Sequence, residues 1–202
     1  MSNINICAQD AYLALYPQSK KPVGVNWPDE GTSQEQALAT NGNLGLLLGP
    51  KSDVMDVDLD CREAKGLAEL ILPKPFAQFD RGTSDSGHYL YKAITCGPTK
   101  KFSGNGPKST LVELRGDGSQ TMIPPSIHPD GSRLNFTDIN QDAPEVEYAN
   151  LLKSVACLAA CSEVAQLWVS GRRHELALSF SGLCLKQKVD PQLLINIIQR
   201  IC

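Results

Sequence analysis

The chain has 202 residues, 42% hydrophobic and 20% charged, with a formal net charge of −3. This is ordinary globular composition, which excludes a disordered chain, and its mild negative charge argues against tight, autonomous binding to duplex DNA, whose usual footprint is basic. No apolar run approaches the ~20 residues of a membrane helix, and seven cysteines, an odd number with no CxxC pair, suit reduced thiols in a cytoplasmic protein.

Residues 8–16 are expected as a short helix, with Tyr12, Leu13, Leu15 and Tyr16 on its apolar side. A loop with two prolines and a glycine covers 20–28. Thr32 and Glu35 read as a capping box ahead of a second helix over 36–40. Asn41-Gly42-Asn43 ends that helix, and 44–48 is a buried strand stopping at Gly49-Pro50. The aspartate-bearing strand 54–60 follows after a short turn, which predicts that these two strands pair. Residues 62–72 have helical spacing and stop at Pro73 and Pro75. Strands are expected at 76–79, 88–92 and 110–114, with a mobile Gly-, Lys- and Pro-rich loop over 96–109. A hairpin-like turn at 115–119 leads to a further strand at 120–123.

From Glu145 glycine and proline thin out and helical spacing continues to the end, with Asp190-Pro191 as N-cap and first helical position of the last helix. The expected organisation is an α+β catalytic unit over 1–144 and a small helical appendage over 145–202. The last helix reaches Cys202 without a stop signal, as in a piece of a longer protein. Cys157 and Cys161, four apart on a helix, read as buried apolar thiols.

Chemistry concentrates in four segments. In Val54-Met55-Asp56-Val57-Asp58-Leu59-Asp60, strand alternation projects Asp56 and Asp58 on one face, roughly 7 Å apart, over apolar residues on the other. Burying adjacent carboxylates is costly unless a cation compensates them, and Mg²⁺ is commonly held by one or two carboxylates plus substrate phosphates. Ser86 and His88 share parity at the entry to a strand, offering a hydroxyl and an imidazole to phosphate oxygens. Glu113, between apolar residues, supplies a third carboxylate of the kind that completes a two-metal clamp, and Arg115 shares its face. Ser126 and His128 stand on the turn Pro124-Pro125-Ser126-Ile127-His128.

Taken in order, Asn43-Leu-Gly-Leu-Leu-Leu-Gly, Asp56-Val-Asp58, Ser86-Gly-His88, Val112-Glu113-Leu-Arg115 and Pro124-Pro-Ser126-Ile-His128 resemble the N-terminal domain of bifunctional DNA primase/polymerases. These are the prim-pol branch of the archaeo-eukaryotic primase superfamily, frequent in plasmids, phages and other mobile elements. The stretch Gly171-Arg-Arg-His-Glu-Leu-Ala-Leu-Ser-Phe-Ser-Gly182 is similar to the start of the helical module that often follows that domain. The resemblance implies an archaeo-eukaryotic-primase-like core with an RRM-like sheet, and a DNA primase or DNA polymerase acting as a two-metal nucleotidyltransferase. It implies Asp56, Asp58 and Glu113 as ligands of Mg²⁺ or Mn²⁺, and His88 with Ser86 as contacts to the nucleotide's phosphates. Ser126 and His128 would be further nucleotide contacts. Many relatives have Asp where this chain has Glu113. Asp60 has no counterpart and is expected to point away from the metals or to start a turn. Arg115, by strand parity, and Lys101 or another lysine of 100–108 are expected to steady the β- and γ-phosphates. The implied partners are a single-stranded DNA template, nucleoside triphosphates and a helicase domain or protein, since no GxxxxGK[ST] motif occurs here.

Other readings compete less well. A haloacid-dehalogenase-type site wants Thr or Val two residues after its second Asp, where this chain has Asp60. The DxD of glycosyltransferases normally ends a longer nucleotide-sugar unit. The non-enzyme alternative is a catalytically idle replication-initiation module that binds nucleotide or single-stranded DNA; three retained carboxylates and a histidine argue against it.

Overall fold

The computed structural model describes residues 6–7, 10–27, 29–82, 85–105 and 110–201. Part of the first expected helix (8 and 9), Pro28, Ser84, Lys108 and Cys202 lie outside these residues.

The fold is α+β. Among the described residues two sheets form. Strands β1 (Tyr12–Leu15), β2 (Asn43–Leu47) and β8 (Gln120–Ile123) make a small antiparallel sheet in the order β1-β2-β8. The larger sheet runs β6 (Lys100–Ser103), β7 (Thr110–Arg115), β3 (Val54–Leu59), β5 (Gly87–Thr95), β4 (Ala77–Asp80), β9 (Asn135–Ile139), and β10 (Val146–Glu147) pairs parallel with the end of β5. The helices are α1 (Gln34–Leu38), α2 (Arg62–Ile71), α3 (Tyr148–Gln166), α4 (Arg173–Lys186) and α5 (Pro191–Ile201).

Strand β3 organises the molecule through its alternation. Met55, Val57 and Leu59 face one hydrophobic cluster, shared with Leu67 of α2, Leu158 of α3 and Ile197 of α5. Val54 belongs to a second cluster, shared with Leu44, Leu46, Phe79, Leu90 and Ile123. The aspartates therefore sit on the face turned away from α2, α3 and α5. Helix α2 is amphipathic and buries Ala64, Leu67 and Ala68 at i, i+3 and i+4; extended backbone at Leu72, ahead of Pro73, ends it. Asp190 accepts a hydrogen bond from Gln192 N at 3.1 Å, so α5 starts as its Asp-Pro pair predicts. From residue 148 on, the helical stretch contributes α3 to the same cluster as β3 and α2.

Several elements differ from the sequence expectations. The segment expected as a first helix holds strand β1: Tyr12, Leu13 and Leu15 are all buried, so a continuous apolar run is buried from both sides. The capping box is one residue on, with Ser33 accepting from Gln36 N and Gln36 reaching back to Ser33 N. Strands β2 and β3 do not form a ladder; only the isolated bridge Gly49↔Val54 joins them, and the chain passes there from one sheet to the other. For the same reason 115–119 is no hairpin: β7 stays in the large sheet and β8 returns to β2. Strand β6 forms inside the loop expected over 96–109. Strand β9, mostly exposed, has no apolar alternation to announce it.

Candidate active site

The ladder registers assemble the site. Asp58 lies opposite His88 of β5 on one side and Glu113 of β7 on the other, while Asp56 lies opposite Leu90 and Arg115. Side chains directly opposite on adjacent strands share a face at close range. Asp56, Asp58, His88, Glu113 and Arg115 are thereby brought together on the face opposite α2, α3 and α5.

His88 is the hub. Its Nδ1 is 2.9 Å and 3.2 Å from the two oxygens of Asp56, and its Nε2 is 3.6 Å from Asp58 Oδ1. Its ring stacks on Phe79, the neighbour across the β4–β5 ladder, with centroids 4.6 Å apart and planes 8° from parallel. Burial opposes charge on both partners, but their attraction prevails. Buried Asp56 is held below the ordinary carboxylate range by the adjacent imidazolium, with help from Arg115. Burial pushes His88 down, yet the charges of Asp56 and Asp58 leave it above the ordinary imidazole value. The shifts favour charge on both partners, with Nδ1 against Asp56 at hydrogen-bond distance and Nε2 facing Asp58 at 3.6 Å. Arg115 Nε stands 3.7 Å from Glu113 Oε2.

Above this face is a cleft of about 100 Å³, bordered by Asp58, Asp60, Arg81, Ser86, His88, Arg115 and His128, with Lys20, Thr121 and Met122 from the small-sheet side. Asp56, fully buried, and Glu113 are not on its lining. Ser86 reaches the cleft as expected; its hydroxyl accepts from Arg81 Nη2 at 3.2 Å and its carbonyl from Lys65 Nζ at 3.1 Å. Lys65 also pairs with Asp80 at 2.7 Å, which fixes the β4 end against α2. His128 reaches the cleft too, with Nδ1 3.0 Å from Asp130 Oδ2.

Ser126 does not reach the cleft: it is 3% exposed, and its hydroxyl accepts from Leu44 N at 2.9 Å and donates to Leu44 O, pinning its turn to β2. Asp60, expected to point away from the metals or to start a turn, lines the cleft with Asp58, and the chain bends just after it at Cys61. Burial first, then the charges of Asp58 and Glu113, pushes its carboxyl up to about 6. Lys101 is exposed on the edge strand β6, opposite Glu113 but off the cleft lining. Arg81, Lys20 and Thr121 were not anticipated. The parity of strand 54–60 carried the signal for Asp60, whereas nothing local marks Arg81.

The oxygen donors near the cleft are of the kind that Mg²⁺ and Mn²⁺ take: Asp58 and Asp60 line it, with Asp56 and Glu113 next to Asp58 in the sheet. Among the described residues no three or more His, Cys, Asp or Glu side chains are already arranged as a bound metal needs, and Asp56 has its carboxylate turned to His88.

A family model described as bifunctional DNA primase/polymerase, N-terminal, matches residues 8–149. No curated protein matches the chain. Among the described residues no helix is long and apolar enough to cross a membrane.

Proposed function

The chain belongs to the bifunctional DNA primase/polymerase N-terminal family, and from that premise we propose that its cleft carries out template-directed nucleotidyl transfer. A 3′-hydroxyl attacks the α-phosphorus of a nucleoside triphosphate. The new O–P bond forms as the bond to the β-phosphate oxygen breaks, pyrophosphate leaves and the hydroxyl proton is lost. The observation that carries the reading is the register that gathers Asp56, Asp58, His88 and Glu113 on one face of three adjacent strands.

Asp56, Asp58 and Glu113 would hold Mg²⁺ or Mn²⁺, which when bound would neutralise charge on the reacting phosphate and make the hydroxyl a better nucleophile. His88, stacked flat on Phe79, fixes the orientation of Asp56 and turns its Nε2 toward Asp58 at 3.6 Å. Ser86 and Arg115 border the space a phosphate would enter. The larger sheet with α2 and α3 on one face stands for the RRM-like core of the archaeo-eukaryotic primases in this reading. The template would be single-stranded DNA, the substrates dNTPs or NTPs, and the setting replication of a mobile element, plasmid or phage in the cytoplasm, with unwinding by a separate helicase domain or protein.

The test is primer extension and unprimed synthesis on a single-stranded template with Mg²⁺ or Mn²⁺, wild type beside Asp56→Asn/Asp58→Asn. Metal-dependent products that vanish in the double variant are expected. A folded wild type that makes no product under any of these conditions, yet binds nucleotide or single-stranded DNA, would replace this reading with the catalytically idle module.

A further inference from the structure

We propose that Arg81, oriented by Asp130 and Ser86, is the anchor for the β- and γ-phosphates of the incoming nucleoside triphosphate; this rests on the nucleotidyl-transfer reading above. Arg81 follows the last residue of β4 and lines the same cleft as Asp58 and His88. Its side chain is 29% exposed, Nη1 donates to Asp130 Oδ2 at 2.6 Å and lies 3.4 Å from His128 Nδ1, and Nη2 donates to Ser86 Oγ at 3.2 Å. These contacts fix the plane of the fork. They engage at most three of the five N–H donors an arginine has.

The cleft lining carries both signs of charge: Asp58, Asp60 and Asp80 border it together with Lys20, Arg81 and Arg115, the cations that a polyphosphate needs. A planar guanidinium matches phosphate oxygens bidentately, which a point charge does not. The space fits too: about 100 Å³ is small beside the ~300–1,000 Å³ of ligand pockets, so it suits phosphate groups rather than a whole nucleotide.

Asp130 is the positioning partner. Its turn is closed by His128 N donating to Ser132 O at 2.7 Å and Gly131 N donating to His128 O at 2.8 Å, and Asp130 Oδ1 takes both the backbone N–H and the hydroxyl of Ser132. Its other oxygen, Oδ2, takes Arg81 Nη1 at 2.6 Å and lies 3.0 Å from His128 Nδ1. If the ion pair served only to pin this surface turn, its loss would alter stability and leave nucleotide discrimination untouched.

The experiment compares wild type, Arg81→Ala, Arg81→Lys and Asp130→Asn. It measures equilibrium binding of dGTP and dGMP, the KM and kcat of primer extension, and the thermal melt of each variant. Arg81→Ala is expected to raise KM for dGTP about tenfold or more, the loss of one charge-assisted contact, with kcat little changed. The preference for dGTP over dGMP collapses with it. Arg81→Lys keeps part of that preference, and Asp130→Asn falls between. Wild-type KM and wild-type discrimination in a folded Arg81→Ala, or in Arg81→Lys and Asp130→Asn should the alanine variant not fold, overturn the assignment and leave the nucleotidyl-transfer reading standing. A folded wild type that neither extends primers nor binds dGTP overturns both.

Discussion

The interaction of His88 with Asp56 makes stability depend on pH from two sides. The carboxyl of Asp56 in the folded chain lies below its ordinary 3.8, so its contribution is present above that value and fades as pH falls through the folded-state value. His88 lies above its ordinary 6.5, so its contribution is complete below 6.5 and fades as pH rises through the folded-state value. Without metal, the pair stabilises most between about 4 and 6.5. Thermal melts in a chelating buffer should therefore decline above pH 6.5, and His88→Ala should remove that decline. The same variant leaves a fully buried carboxylate without its partner, a change that costs about 3 kcal/mol or more. A wild-type melting temperature flat from pH 6 to 9 would contradict the charged pair. At this scale strand parity and motif order were enough to bring Asp56, Asp58, His88 and Glu113 together. Parity also applied to Asp60, whose N–H still donates to Leu111 O at 3.0 Å, so strand geometry continues one residue past β3. Arg81 was illegible because its partners His128 and Asp130 come from a turn more than forty residues away, brought close only by the fold.

At the scale of elements, periodicity identified strands but not their partners. A run such as Leu44 to Leu48 is apolar on both faces, which says that it is buried and leaves open which sheet receives it. The decision lies in the turn at 49–53. Gly49 has φ +93°, and a Cβ there would meet the Cα of Asp117 at 2.9 Å and its Oδ1 at 2.7 Å. The β2–β3 passage and the β7–β8 passage thus cross in contact, and only glycine fits between them. Gly49→Ala should destabilise the fold by about 1–3 kcal/mol, read as a lower denaturant midpoint at unchanged m-value. An unchanged midpoint would mean that this crossing does not hold the two sheets together. The mistaken helix over 8–16 has a related origin, since a short apolar run fits a buried strand as well as one side of a helix. Strand β6 escaped notice because Lys100 and Lys101 are exposed, the usual character of an edge strand.

Across the whole molecule, the face that carries the chemistry depends on the face that does not. Met55, Val57 and Leu59 back the aspartates and share one buried cluster with residues of α2, α3 and α5. The family match ends at residue 149, whereas this cluster continues through Leu151, Val155 and Leu158 of α3, each no more than 1% exposed. Burying a Leu or Val side chain is worth roughly 1.5–3 kcal/mol, so these three contribute on the order of 5 kcal/mol. That is comparable with the ~5–15 kcal/mol of net stability typical of a domain. Removing them also exposes the apolar surface of β3, β5 and β7 that they cover, and a contiguous patch of that kind favours aggregation. A chain ending at residue 149 should therefore lose its cooperative melt and bind a hydrophobic dye, while the chain through 202 should do neither. Leu158→Ala separates packing from length: the cavity should lower stability by about 2–5 kcal/mol, with the kcat of the folded fraction unchanged, because the side chain touches the back of the sheet and not the cleft. Cooperative melting of the shorter chain at the temperature of the longer one would show that β3 holds its aspartates in place without α3.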